Sequence, residues 1–385
     1  MPLSHLKVID LTRARAGPNC ARVFADWGAQ VTKVEGPEDG ITGARHGSDF
    51  QNLHRNKRSL SLNLKEKEGR EILYRMVKES DILLENYRPA VKHRLGIDYE
   101  TLRAINPRLI YGSMSGFGQT GPYSDRPGVD QIAQGMGGLM SVTGFPGQGP
   151  VRVGVAIADL SSGMFCCMGV LIALAERERS GQGQWVQTSL LQAQIAMLDF
   201  QATRWLMDGV VPRQNGNDHP TGIATGTNAT ADGHINIGGA GGMMWKRFCE
   251  AIGASHFLED PRFRQEDERR RNRAVLNAEI AAIMKTKTSA EWIDILNRAG
   301  VPCGPIYSID QVFADPQVRE LGIAQTVTHP TLGEQTLVGQ PMTLSRTPSR
   351  LRTATPELGE HNDQVLRELG YDAAAIAAFK DKKII

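Results

Sequence analysis

The sequence predicts an α/β protein in which a doubly wound, mostly parallel sheet forms a large domain beside a smaller α+β domain. Two observations carry that reading. Short apolar strand-like runs alternate with helix-period segments over residues 1–208. The composition then turns to Gly, Pro, Asn and Thr in GVVPRQNGNDHPTGIATGTN before a second set of elements begins.

Residues 6–11 (LKVIDL) read as a first strand and TRARAGP as the loop after it. Pro18 suits a first helical turn, where a missing N–H costs nothing, so residues 19–27 read as a helix ended by Gly28. Residues 30–35 (QVTKVE) complete a βαβ unit. The pattern recurs as helix 65–78, strand 81–85, helix 99–105 and strand 109–113. It continues as strand 151–157, helix 162–179, strand 185–188 and helix 190–207. Residues 209–225 read as a linker and 226–305 as the small domain, with strand 234–238 and helices 244–253, 272–284 and 290–299. Short strands and Pro-rich turns return from Ile323, so 306–385 reads as a linker and a segment rejoining the large domain.

The chain has 385 residues, 22% of them charged, and a formal net charge of +2, which argues against a dedicated nucleic-acid binder. Five cysteines without a CxxC pair suggest neither a disulfide framework nor a zinc site. The start MPLSHLKVID lacks a signal-peptide pattern, and the apolar run 164–175 is about half a membrane span. The expectation is a reduced, cytoplasmic protein without a membrane partner.

Asp159, in VGVAIADLSSG, is the main candidate for chemistry. It is expected at the carboxyl end of an apolar strand facing a helix N-terminus, where open α/β sheets place ligands and where partial positive charge favours an ionised carboxylate. The same context suits a plain helix cap, and both readings stand on these residues alone. The first loop lacks GxGxxG but carries Arg13 and Arg15, whose guanidinium groups could bind phosphates bidentately. Further cations follow at Arg55, Lys57 and Arg58, and at Arg88, Lys92 and Arg94, either as solvated faces or as a polyanion site. The run Gly238-Gly239-Ala240-Gly241-Gly242 is either a loop needing positive φ or a segment offering bare N–H groups to an oxyanion. No HExxH or other metal-ligand spacing and no GxSxG occur.

Six segments in order resemble the family III CoA-transferases of the CaiB/BaiF superfamily, whose best-known type is formyl-CoA transferase. They are VIDLTRARAGPNCARVFADWGAQVTKVE, NKRSLSLNLKEKEG, the stretch from ILLENYRPAV to GQTGP, RPGVDQIAQGMGGLMSVTG, the stretch from VRVGVAIADLSSG to WVQTSLL, and VPCGPIYSIDQVFADPQV. The resemblance implies a Rossmann-like large domain with an inserted small domain, and a homodimer of interlocked ring-like subunits. It implies Asp159 as nucleophile, with Arg13, Arg15, Ala16, Leu62, Lys65, Asn86, Tyr87, Arg94 and Asp130 contacting CoA. It implies Gly238, Gly239, Gly241 and Gly242 as a lid. Arg13 and Arg15 depart from the uncharged, His or Gln side chains that relatives often carry there.

The activity so implied is reversible movement of coenzyme A between an acyl-CoA thioester and a small, possibly dicarboxylic, acid. It passes through a mixed anhydride and an aspartyl-CoA thioester, with CoA as substrate and no tightly bound cofactor. A carboxyl with a reference pKa of about 3.9 needs no general base at neutral pH. The superfamily's α-methylacyl-CoA racemases need a His directly before the Asp of RPGVDQIAQ; Val129 stands there and exchanges no proton. The missing GxGxxG disfavours a nicotinamide dehydrogenase, and the intact Asp159 segment disfavours a non-catalytic CoA-binding protein.

Overall fold

The computed structural model describes residues 1–38, 44–238 and 241–385. The chain forms two compact units: residues 1–140, 152–210 and 317–385 make the larger, and 141–151 with 211–316 the smaller.

The larger unit is built on six parallel strands: β1 (Lys7–Asp10), β2 (Gln30–Glu35), β3 (Arg58–Ser61), β4 (Ile82–Glu85), β5 (Ile110–Ser115) and β6 (Trp185–Ser189). Their order across the sheet is β3-β2-β1-β4-β5-β6, that of the nucleotide-binding doubly wound folds. Between them run α1 (Ala16–Asp26), α2 (Ser48–His54), α3 (Lys67–Lys78), α4 (Pro89–Leu95), α5 (Tyr99–Ile105), α6 (Asp130–Met136), α7 (Leu139–Val142) and α8 (Ile157–Ser180). After β6 come α9 (Leu190–Ala196) and α10 (Phe200–Asp208).

Alternate strand residues point to opposite faces, and here both faces are buried, so even polar strand residues such as Lys33, Ser59 and Ser113 lie inside. Val8, Ile82, Leu84, Ile110 and Met114 join Phe24 of α1 and Cys166 and Val170 of α8 on one face. Ile9, Leu60, Leu83 and Tyr111 join Ile72 and Leu73 of α3 and Leu102 of α5 on the other. Helix α8 spans 24 residues and is long and apolar enough, by length and composition, to cross a membrane. Its Ala158, Cys166, Val170 and Ala173 nevertheless lie in the core of this unit.

The smaller unit holds an antiparallel sheet of β7 (Gly226–Ala229), β8 (His234–Ile237) and β9 (Cys303–Pro305). It is covered by α11 (Met243–Ala251), α12 (Glu266–Arg271), α13 (Arg273–Met284) and α14 (Ser289–Arg298) around Trp245, Phe248, Leu276 and Trp292. After α15 (Ile309–Ala314) and α16 (Pro316–Glu320), the hairpin of β10 (Ala324–His329) and β11 (Gly333–Val338) follows. Helices α17 (Asn362–Glu368) and α18 (Ala373–Asp381) then bring Val365, Leu366 and Ile376 onto the core beside α3.

Two expected elements are not formed as read. Residues 151–157 form no strand: Val153 N–H donates to the Gln134 side chain at 3.0 Å, and helix α8 already begins at Ile157. The expected helix 190–207 is two helices, because Asp199 takes φ 47°, a left-handed conformation that a continuous α-helix excludes.

Candidate active site

In a sheet of this order the connections reverse direction between β1 and β4, leaving a crevice at their carboxyl ends. The loop after β1 is rigidly built. Thr12 N–H donates to Asp10 Oδ1 at 3.0 Å, its carbonyl accepts from Lys33 Nζ at 3.0 Å, and Ala14 turns the chain at φ 59°. Arg13 N–H donates to Asn86 Oδ1 at 2.9 Å, and Asn86 Nδ2 donates back to Arg13 O at 2.8 Å, joining the loops after β1 and β4 across the crevice. The Arg13 guanidinium lies 5.9 Å from the Tyr87 ring centre. Leu62 is buried just beyond β3, its N–H donating to Glu35 O at 2.7 Å. Lys65 is exposed on the same loop, and Arg94 is exposed in the last turn of α4. Thus Arg13, Arg15, Ala16, Leu62, Lys65, Asn86 and Tyr87 all follow the carboxyl ends of β1, β3 or β4.

Asp159 is not at a strand end but is the third residue of α8, partly exposed in its first turn. The cap comes from elsewhere in the chain. Asp130, the first residue of α6, is buried, and its Oδ1 accepts from Ala158 N–H at 2.9 Å and Asp159 N–H at 3.4 Å. These are amides a helix start leaves without an internal partner. Asp130 Oδ2 accepts from Gln134 Nε2 at 2.7 Å and lies 3.6 Å from Arg152 Nη2. A second carboxylate is thereby fixed beside Asp159. Burial, then the charge of Asp130, push the Asp159 carboxyl up to about 6 against an opposing pull from Arg15. The expectation of an ordinary carboxylate is corrected: its affinity for a proton is raised, and it remains mostly ionised at pH 7.

Arg15 reaches this place through helix packing. A side chain at Gly163 would put its Cβ 2.4 Å from Ala16 O, so only glycine lets α1 approach α8 here. Asp159 and Gly163, four residues apart, share a face of α8. Arg15, at the N-cap of α1, therefore stands beside the nucleophile candidate, with its Nη2 2.7 Å from Asp49 Oδ2.

Arg88 is exposed after β4, but three other cations near the strand ends are held internally. Lys57 pairs with Asp10 at 2.8 Å, Arg55 with Asp26 at 2.8 Å and Lys92 with Glu85 at 3.0 Å, all fully buried. Arg58 pairs with Glu368 at 2.7 Å. Burial opposes ionisation of Asp10, but Lys57 and Lys33 outweigh it and hold that carboxyl below its usual range. His54, 3.2 Å from Lys57 Nζ, is held well below the ordinary imidazole value by burial and then by Lys57 and Lys33, so it stays neutral. This cluster supports the loop from beneath.

In the smaller unit Gly242 is the N-cap of α11 at φ 54°, a conformation that favours glycine. Gly238 N–H donates to Pro302 O at 2.8 Å, and a Cβ on Gly241 would meet open space. Gly239 lies outside the described residues. Asp49, Gln134, Arg152 and Gly163 were not singled out from the sequence; the i, i+4 spacing of Asp130 and Gln134 on α6 was the one local signal. Among the described residues no cluster of three or more His, Cys, Asp or Glu side chains is arranged to hold a metal.

The strand order, the switch-point crevice and the carboxylate in the first turn of α8 define a doubly wound α/β enzyme fold with a candidate carboxylate nucleophile. The family model for CoA-transferase family III matches residues 3–362. A succinate–glutarate CoA-transferase of Agrobacterium fabrum is 38% identical over 387 residues, covering 96% of each chain. A succinyl-CoA:glutarate CoA-transferase of Mus musculus is 33% identical, over 97% of this chain and 88% of its own. The crystal structure of a CAIB/BAIF family protein from Brucella suis superposes with a TM-score of 0.83 at 35% identity, over 96% of this chain and 99% of that one. The chain belongs to CoA-transferase family III and is a CoA-transferase.

Proposed function

We propose that this enzyme moves coenzyme A between dicarboxylic acids, with Asp159 as the group that carries first the acyl group and then CoA. The observation that carries the reading is Asp159 itself: a carboxylate in the capped first turn of α8, beside the Arg15 loop, with its affinity for a proton raised. A raised pKa makes a carboxylate more nucleophilic while leaving it mostly ionised at neutral pH.

Ionised Asp159 attacks the thioester carbonyl, forming a mixed anhydride and releasing CoA thiolate. The thiolate attacks the aspartyl carbonyl, which forms an aspartyl-CoA thioester and frees the first acid with one oxygen from Asp159. The incoming carboxylate attacks that thioester, giving a second anhydride and thiolate again. Attack on the new acyl carbonyl completes the product and restores Asp159, which now holds one oxygen from the incoming acid. Each step exchanges one carboxylate or thiolate leaving group for another, so no external proton carrier is needed.

CoA lies along the crevice over Arg13, Ala16, Leu62, Lys65, Asn86 and Tyr87, with Arg94 at its outer end. Asp130 acts through Asp159, since its oxygens are engaged by the α8 amides and Gln134. Gly238, Gly239 and Gly241 serve as a lid over the intermediates. Water exclusion is what such a lid supplies, because both intermediates hydrolyse. The enzyme works as a homodimer in the cytoplasm. Met164, Met168 and Ile172 of α8 and Trp205, Leu206 and Met207 of α10 are exposed large apolar side chains, of the kind that a subunit interface covers. The acids are inferred from relatives whose names specify succinate and glutarate.

The test is transfer from succinyl-CoA to a panel of acids. Formation of new thioesters with equimolar succinate, abolished in Asp159→Asn, supports the reading; an Asp159→Asn enzyme with full transfer activity refutes it.

A further inference from the structure

We propose that Arg15 selects the acid: its guanidinium binds the second carboxylate of a dicarboxylic acyl group while the first is joined to Asp159, and Asp49 keeps its place between turnovers. This rests on Asp159 being the nucleophile.

The geometry separates Arg15 from the buried or packed cations near the crevice, and Arg152, the other cation close to Asp159, is paired with Asp130 at 3.6 Å. Lys57 and Lys92 are buried in ion pairs, and Arg13 is packed at the Tyr87 ring on the β4 side. Arg15 alone among these stands where α1 meets the face of α8 that carries Asp159, through the Ala16–Gly163 approach. Its contact in the structure is already with a carboxylate, and it uses one amino nitrogen of the guanidinium.

Magnitudes favour exchange. The side chains of the Arg15–Asp49 pair are 34% and 61% exposed, so the pair is a weak surface contact. Asp49 sits on the first turn of a short helix, and its side chain can swing away at little cost. A substrate carboxylate tethered through Asp159 pays less entropy to reach Arg15 and meets it nearer to buried surface, where a charge-assisted hydrogen bond is stronger. A monocarboxylic acyl chain leaves the Arg15–Asp49 pair unbroken and gains nothing from it.

The experiment pairs acids of equal length, succinate with butyrate and glutarate with valerate, as acceptors from one fixed CoA donor. In Arg15→Gln, KM for the dicarboxylic acids is expected to rise about 10- to 100-fold with the monocarboxylic values nearly unchanged. Arg15→Lys recovers part of the preference, and Asp49→Asn lowers KM for the dicarboxylic acids by about two- to fivefold as the competing pair is lost. Equal losses for both members of each pair, or a rise in KM for the CoA donor regardless of acid, overturn the proposal and assign Arg15 to CoA. An unaltered KM for the dicarboxylic acids in Asp49→Asn counts against the exchange even if Arg15→Gln fails to fold. A wild-type enzyme that transfers CoA to none of these acids, or one whose transfer survives Asp159→Asn, refutes the underlying reading instead.

Discussion

Replacing Asp159 by Asn should stabilise the protein while abolishing its activity. The folded environment raises the Asp159 carboxyl from an ordinary 3.8 to about 6. A carboxyl whose folded pKa lies above its unfolded one favours the native state in its protonated form. That contribution is complete below the unfolded value and is lost as pH rises through about 6. At 1.36 kcal/mol per pH unit, holding the charge at pH 8 costs up to about 3 kcal/mol relative to a neutral side chain, and roughly half of that at pH 5. Asn has nearly the same shape as the protonated acid and no charge to hold near Asp130. Urea denaturation of wild type and Asp159→Asn at pH 8 and pH 5 reads the difference. The variant should unfold at higher urea at pH 8, with the gap narrowing at pH 5. A variant less stable than wild type at pH 8, or a gap that widens on acidification, refutes the electrostatic reasoning.

The pH dependence of kcat/KM should fall on the acid side with an apparent pKa near 6, the value for Asp159. In Asp130→Asn that limb should move to lower pH as the repelling charge is removed, which a rate–pH profile with one CoA donor would show. Gly163→Ala should destabilise by about 1–3 kcal/mol and cut activity, because its Cβ would press on the Ala16 backbone 2.4 Å away; thermal denaturation and a transfer assay check it. Lys57→Ala should cost about 3–5 kcal/mol, because it leaves Asp10 buried without its ion-pair partner, and the same denaturation assay reads it.

Strands with an apolar centre, such as β1 and the Ile82-Leu83-Leu84 run of β4, could be read from the sequence because both faces are buried, whereas β3 (RSLS) was missed because polar residues fill it. The same reasoning misled at residues 151–157, where VRVGVAI has strand composition. What decides that segment is Gln134, which takes the Val153 amide, and Asp130, which caps the helix that follows. Both lie on α6, and nothing local announces them. The break at Asp199 is a single left-handed residue in a helix-period stretch, and periodicity cannot register one residue.

At the site, Asp159 was legible as a residue but not as a neighbourhood. Its pKa comes from burial and from Asp130, 29 positions earlier, and its cationic neighbour Arg15 arrives through a helix crossing that one glycine allows. Lys57, Arg55 and Lys92 looked like phosphate ligands because charge near strand ends is visible in a sequence, whereas their buried partners Asp10, Asp26 and Glu85 are matched only by the fold.

The most direct measurement follows oxygen. Enzyme is turned over with succinyl-CoA and an acceptor acid carrying 18O in its carboxylates, then digested and analysed by mass spectrometry. Each passage through Asp159 leaves one acceptor oxygen on that side chain, so the Asp159 peptide should gain about 2 Da after one turnover and up to about 4 Da after many, because 18O is about 2 Da heavier than the 16O it replaces, and hydroxylamine added during turnover should trap the same residue. An unlabelled Asp159 peptide after many turnovers, with 18O carried to another residue or to none, would contradict the nucleophile assignment.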